Sequence, residues 1–256
     1  MPEIKFAAWN IDGALSNSQN KTEDIDNRIK RLLDNRPDLD FIFFLEIPNP
    51  SRLKALPSGW ISSREDPETT EGKSGILLYK TARNKDLCFE RKPLDGSAQD
   101  PVGAVYSIGT KGGENFFFAG FWNIPPEGDR NYFSHLQGFL ESVLKQYPIC
   151  CIAGDTNVNV RTEATPEGTN DGRKLEAFLN EKNMCIVQDE LDDYTLHFKG
   201  KGYGWYRSDL LIVPTALRHR FCSFSIGKPE IYMENGGSDH LPLFFSYSYN
   251  SPEEEK

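Results

Sequence analysis

The sequence predicts a layered α/β domain with β-sheets at its centre. Short apolar runs of strand length outnumber helical patterns, and strand and helix alternate as β-α-β near each end of the chain. That mixture places sheets inside and helices outside. Two runs, 41–45 and 210–213, are continuously apolar and lack the period-two alternation of a half-solvated strand. Such runs are expected where both faces of a sheet are covered.

In chain order, the strand-length apolar runs fall at 4–11, 41–47, 75–79, 102–108, 115–122, 149–153, 208–213 and 241–247. Weaker candidates lie at 87–92, 185–188, 195–198 and 220–224. Three helices fit between them. Ile25, Ile29, Leu32 and Leu33 keep the i, i+4, i+7, i+8 spacing of one helix face, and Phe133, Leu136, Leu140, Val143 and Leu144 do the same. The third helix spans 174–181, with Leu175, Phe178 and Leu179 on one side. Trp60 and the acidic stretch 64–71 read as surface loop. With no internal repeat and no low-complexity linker, the 256 residues fit a single domain over 1–249 and a polar acidic tail, 250–256.

Composition narrows the class. Hydrophobic residues make up 38% and charged residues 26%, the balance of a soluble globular protein and not of a disordered chain. A net charge of −9 argues against a general polyanion-binding surface, since nucleic-acid binders usually carry a basic patch. Carboxylates gathered around a divalent cation, however, count as bare negative charge in such a sum. The five cysteines form no CxxC pair, and Cys150 and Cys151 lie inside an apolar run that assigns them to packing. Their odd number suits a reducing compartment. No signal peptide is visible ahead of the first strand, and no run approaches the roughly 18 apolar residues of a membrane span. The expected location is cytoplasmic, with no membrane partner.

Chemistry-bearing residues collect at the strand ends. The first strand ends in Trp9-Asn10-Ile11-Asp12-Gly13, and the second in Leu45-Glu46. The run 149–153 opens into Gly154-Asp155-Thr156-Asn157, Arg207-Ser208-Asp209 enters the strand at 210, and Ser238-Asp239-His240 precedes the last strand. Singly, each has an ordinary structural reading as a turn, a solvated strand end or an Asx turn. Five together in one chain point to one site. Asp and Glu oxygens without Cys or paired His suit a hard cation such as Mg²⁺, Mn²⁺ or Ca²⁺. Asn amides hold phosphate oxygens without repelling them, and a histidine with an aspartate partner can be fixed in one tautomer and act on water. Those are the parts that hydrolysis of a phosphate ester requires.

In this order, the five segments resemble the endonuclease/exonuclease/phosphatase superfamily, the DNase I-like fold. The likeness runs from Asn10 to His240 and so covers nearly the whole chain. It implies a four-layer α/β/β/α sandwich with the site at one end, and a Mg²⁺ or Mn²⁺ cofactor. Glu46 would be the principal metal ligand, with Asp12 and Asp239 near the ion directly or through water. Asn10 and Asn157 would hold the scissile phosphate, and Asp155 would orient the attacking water. His240, steadied by Asp209, would serve as base or as hydrogen-bond donor to the transition state. The chain departs from the pattern twice. Leu45 stands where many relatives carry Gln, which removes a supporting hydrogen bond but not the ligand. Asn123, ahead of Pro125-Pro126, stands where relatives often carry His or Tyr close to the phosphate or leaving group. It is either a substrate contact that cannot supply a proton or a plain loop residue.

The glycine-rich stretch 199–207 interleaves cations and aromatics just before Asp209. Lys201 and Arg207 are candidate phosphate contacts and Trp205 a stacking surface for a base. The same stretch also reads as a hairpin whose rings pack on the domain. His135, His197 and His219 have no comparable setting. The expected activity is phosphodiester hydrolysis of nucleic acid, endo- or exonucleolytic. Inositol phosphates, sphingomyelin or another small phosphate ester are the alternative substrates, because fold alone does not choose among them. A noncatalytic binding module is the third reading.

Overall fold

The computed structural model describes residues 3–11, 21–48, 58–62, 73–80, 87–92, 102–110, 115–123, 131–160, 169–188, 195–198, 204–233 and 238–249. Strand β1 (Glu3–Asn10), helix α1 (Lys21–Asn35) and strand β2 (Phe41–Pro48) form a βαβ unit with the two strands parallel. Strands β3 (Trp60–Ser62), β4 (Lys73–Lys80), β5 (Leu87–Lys92), β6 (Val102–Thr110) and β7 (Asn115–Trp122) follow. Helix α2 (Tyr132–Gln146) then carries the chain to β8 (Cys150–Asp155), parallel to β7. After α3 (Asn170–Glu181) come β9 (Met184–Ile186), the hairpin strands β10 (Leu196–Phe198) and β11 (Gly204–Tyr206), and β12 (Asp209–Pro214). A 3₁₀ turn over Thr215–Arg220, β13 (Phe221–Ile226), the short α4 (Pro229–Tyr232) and β14 (Leu243–Ser248) complete the order.

Two six-stranded sheets result, β13-β14-β1-β2-β4-β3 and β5-β6-β7-β8-β12-β9. Each is covered on both faces, which is why the strand sequences lack alternation. In β2, Phe41, Phe43 and Leu45 enter the core between the sheets, while Ile42 and Phe44 pack with Ile25, Ile29 and Leu32 of α1. In β12, Leu211 and Val213 face the first sheet, while Leu210 and Ile212 meet Leu136, Leu140, Leu175 and Leu179 of α2 and α3. The layers are therefore helix, sheet, sheet, helix. Rings fill the middle: Phe6 stacks on Phe245 at 5.1 Å and on Phe118 at 5.5 Å between centroids. Gly120 gives the Phe43 ring its place, since a Cβ there would lie 1.9 Å from a ring carbon. Each such ring contributes roughly 1.5–3 kcal/mol by burial. Cys150 and Cys151 are fully buried, and burial pushes both thiols upward, so they pack and do not react.

Several elements differ from the sequence expectation. Trp60 is not loop: it opens β3, pairs with Lys80 across β4, and has the Lys80 ammonium 5.5 Å from its ring centroid. The second βαβ unit sits mid-chain, because the C-terminal run joins β1 antiparallel and needs no crossover helix. Helix α3 begins at Asn170, four residues before 174, because Thr169 caps it by accepting from the Gly172 N–H at 3.0 Å. Position 172 of this helix takes glycine because a Cβ there would lie 2.3 Å from the Asn159 carbonyl oxygen. The stretch 64–71 and the tail 250–256 lie outside the described residues.

Candidate active site

Strand directions bring six chain segments to one end. The parallel pairs β1–β2 and β7–β8 finish there, and β12 and β14, antiparallel to β8 and β1, begin there. Asp209 lies directly across from Asp155 in the β8–β12 ladder. Two turns set the geometry locally. Glu46 has φ 57°, in the left-handed region that L residues other than Asn and Asp avoid, at a register shift of β2 between Phe44 and Ile47. A bulge of this kind re-aims a side chain out of the ladder. Asn157 has φ 50°, which asparagine tolerates. Between them, Gly154 lets β8 approach β7 closely, since a Cβ would sit 1.9 Å from the Phe121 carbonyl oxygen.

The centre is a buried network. His240 Nδ1 lies 2.8 Å from Asp209 Oδ2, and its Nε2 lies 3.8 Å from Asp155 Oδ2 and 3.9 Å from Asp239 Oδ1. With Nδ1–H donated to Asp209, Nε2 is left facing Asp155. Asp155 accepts from Asn10 Nδ2 at 3.1 Å, from the Asn157 N–H at 2.9 Å and from Asn157 Nδ2 at 3.3 Å. The imidazole is anchored through its backbone as well: Ser238 Oγ accepts from the His240 N–H and donates to the Asn10 carbonyl, and Trp9 Nε1 donates to the His240 carbonyl.

Electrostatics follow from this packing. Burial acts most strongly on Asp155 and raises its carboxyl to about 7; His240 and the Asn157 N–H oppose that, while Asp209 and Glu46 reinforce it. On His240 burial again acts first and disfavours the charged ring. The Asp209 and Asp155 carboxylates, the hydrogen bond to Asp209 and the Asp239 charge outweigh it, raising the ring to about 10. A divalent cation nearby would lower both.

The residues also offer a place for such a cation. Ligand atoms of Asp155, Asp209 and His240 lie within 4.8 Å of one another, but the short His240–Asp209 contact makes that set a proton-holding network. The oxygen-only side fits a hard cation better. There Asp239 Oδ1 and Asn10 Oδ1 are buried without a hydrogen-bond partner among the described residues, and Glu46 is near enough to act on Asp155. An acceptor oxygen buried without a donor is costly unless a ligand supplies positive charge.

Of the residues singled out from sequence, Asn10, Glu46, Asp155, Asn157, Asp209, Asp239 and His240 meet in this region. Their amides are arranged in an unforeseen way. Asn157 Nδ2 also donates to the Asn123 carbonyl at 2.9 Å, so both of its protons are engaged, whereas Asn10 Nδ2 makes one hydrogen bond among the described residues. Asn123 differs from a substrate contact. It is fully buried, and its amide donates to the Tyr132 and Thr156 carbonyls at 2.9 and 2.6 Å, which makes it a clamp on the 155–157 turn. Arg207 is also beneath the surface, only 3% exposed, with its N–H on Asn159 Oδ1; a phosphate clamp in solvent is not what that placement gives. Asp12 and Lys201 lie outside the described residues, and of Trp205 only the backbone, in β11, is described. Sequence reading missed Thr195 and Gln188, both buried beside Asp209.

No protein-family profile and no curated protein matches the sequence. Solved structures do match. The endonuclease domain of TRAS1, a telomere-specific non-LTR retrotransposon, aligns over 97% of this chain and 100% of its own at 14% identity and a TM-score of 0.66. A 3′-5′ exonuclease (NExo) from Neisseria meningitidis aligns over 96% and 100% at 16% identity and 0.66. TDP2 from D. rerio, complexed with a single-strand DNA product, aligns over 96% and 99% at 15% identity and 0.64. The chain has the fold of the endonuclease/exonuclease/phosphatase superfamily, the DNase I-like sandwich.

Proposed function

We propose that this chain is a divalent-metal-dependent phosphodiesterase that hydrolyses nucleic acid. The observation that carries the reading is the buried Asp209–His240 pair, 2.8 Å apart, with His240 Nε2 turned toward Asp155 at 3.8 Å. A phosphodiester needs a base for the attacking water and positive charge where the phosphate oxygens become more negative. Asp155, held by the Asn10 and Asn157 amides and facing His240 Nε2, is placed to orient the attacking water and take its proton. His240, kept protonated by Asp209, donates its Nε2–H to a phosphate oxygen or to the water in the same space. Asn10 offers its remaining amide N–H to a second phosphate oxygen. A divalent cation held by Glu46 and Asp239, with Asp12 proposed as a third carboxylate, supplies a Lewis acid that offsets phosphate charge.

Nucleic acid is favoured because proteins of this fold include a retrotransposon endonuclease, an exonuclease and an enzyme bound to a DNA product. Lys201 and Trp205 belong to the proposed substrate side on their sequence pattern. The net charge of −9 favours a second reading, a small phosphate ester such as an inositol phosphate or sphingomyelin, because it leaves little general attraction for a polyanion. Plasmid, single-stranded DNA, RNA and the small esters should be incubated with the protein and Mg²⁺ or Mn²⁺. Cleavage of nucleic acid that EDTA abolishes is the expected result. Turnover of small esters alone would move the assignment to the second reading, and inertness toward every ester would reject both.

A further inference from the structure

Thr195 belongs to neither sheet, yet it binds both segments that carry the His240–Asp209 pair. It is fully buried. Its Oγ1 accepts from the Ser208 N–H at 3.2 Å and from the Asp209 N–H at 3.0 Å. Its carbonyl accepts from the N–H of Leu241, the residue after His240, at 2.7 Å. Three backbone donors thus converge on one threonine, two where β12 begins and one at the entry to β14. Those strands lie in different sheets, so no ladder hydrogen bond fixes Asp209 relative to His240. We propose that Thr195 is a positioning residue that sets the Asp209–His240 contact across the gap between the sheets. The proposal rests on the phosphodiesterase reading only for its effect on rate.

The physical basis is the directionality of the contacts. The hydroxyl oxygen has two lone pairs, and both accept from backbone N–H groups of buried residues. Leaving a buried donor unmet is costly, so loss of Oγ1 is expected to move the backbone at 208–209 toward another acceptor. The Asp209 carboxylate moves with it, whereas the carbonyl grip on Leu241 stays. Gln188 supports the same strand from the side, donating to the Asp209 carbonyl at 2.8 Å and accepting from the Leu211 N–H at 3.0 Å. Among the described residues Gln188 makes no hydrogen bond to the β14 segment, so it does not join the two as Thr195 does.

The test compares Thr195→Val, which keeps the branched shape and removes the acceptor, with Thr195→Ser, which keeps the acceptor. The ¹H NMR signal of the His240 Nδ1 proton, shifted downfield by its bond to Asp209, is read in the metal-free protein and needs no substrate. Thr195→Val is expected to move that signal upfield or broaden it away, and Thr195→Ser to preserve it. On the substrate found by the panel, Thr195→Val should lower kcat about 10- to 100-fold, the range seen when a partner that orients a functional side chain is removed. KM should change little, and Thr195→Ser should recover most of the rate. If the valine variant does not fold cooperatively, Thr195→Cys, whose sulfur is a weak acceptor, takes its place with the same expectation. An unmoved His240 signal in the folded variant, with lower thermal stability alone, would make Thr195 an ordinary buried clasp and overturn the proposal. A moved signal in a chain that hydrolyses no phosphate ester would uphold the positioning and reject the function instead.

Discussion

At the scale of single residues, the site depends on how His240 is held. Its ring is bound by Asp209 and its main chain by Ser238 and Trp9, so the side chain reaches the site with little freedom. His240→Ala should therefore lower kcat about 10²- to 10⁴-fold, the usual contribution of a positioned acid or base. Metal affinity, read by calorimetric titration, should stay nearly constant, because the proposed ligands are carboxylates. An unchanged kcat would remove His240 from the chemistry. The same residues set a pH dependence of stability. Asp155 is raised from 3.8 to about 7 and His240 from 6.5 to about 10. Across both windows the folded chain binds more protons than the unfolded chain, so stability is greatest at the low end and falls as pH rises. Urea denaturation in EDTA should show that decline from about pH 4 to about pH 10. Asp155→Asn should flatten the lower window and shrink the upper one, since Asp155 helps hold the proton on His240. A stability that rose with pH through neutrality would contradict the buried proton network.

At the scale of elements, glycines mark where strands must pass closely. A Cβ at Gly120 would lie 1.9 to 2.2 Å from three atoms of the Phe43 ring, in the core between the sheets. Gly120→Ala should cost about 1–3 kcal/mol by overpacking, with Tm lower by about 2–4 °C per kcal/mol. Thermal melts check this, and Phe43→Leu in the same chain should restore part of the loss. The strands themselves were legible, since continuous apolar runs such as β2 and β12 reflect the two covered faces of each sheet. The residues at strand ends were legible for a related reason: an acid or amide beside a buried run has few places to go except the rim. Contacts between loops were not. Thr195 reaches Asp209 across 14 positions and Gln188 reaches it across 21, and no local pattern records such a meeting. Asn123 shows the converse. As a strand-end amide it looks like a site residue, but its amide donates to the Tyr132 and Thr156 carbonyls and its own carbonyl accepts from Asn157 Nδ2, so it is used internally.

For the whole molecule, the two-sheet architecture gathers like charges in one place. Asp155, Asp209, Asp239 and Glu46 come from both sheets to one end, and Asp155 is pushed up by burial and by two of the others. His240 offsets part of that charge, but Asp239 Oδ1, 3.9 Å from His240 Nε2, is buried with no hydrogen-bond donor among the described residues. A cation that binds only the folded chain stabilises it by mass action, about 2.7 kcal/mol at a hundredfold excess over Kd. Mg²⁺ or Mn²⁺ should accordingly raise Tm by several degrees, and the rise should track the logarithm of metal concentration. Glu46→Gln keeps the shape of the side chain, removes one charge, and should abolish most of that rise while leaving the metal-free Tm equal or higher. That second half separates the two roles an acid can have here. A carboxylate needed for folding would lower the metal-free Tm when neutralised, whereas one placed for a cation relieves repulsion when neutralised. If Glu46→Gln lowered the metal-free Tm and left the Mg²⁺ response intact, the cation would have to be sought elsewhere on the chain, and the charge gathered between the sheets would need another explanation.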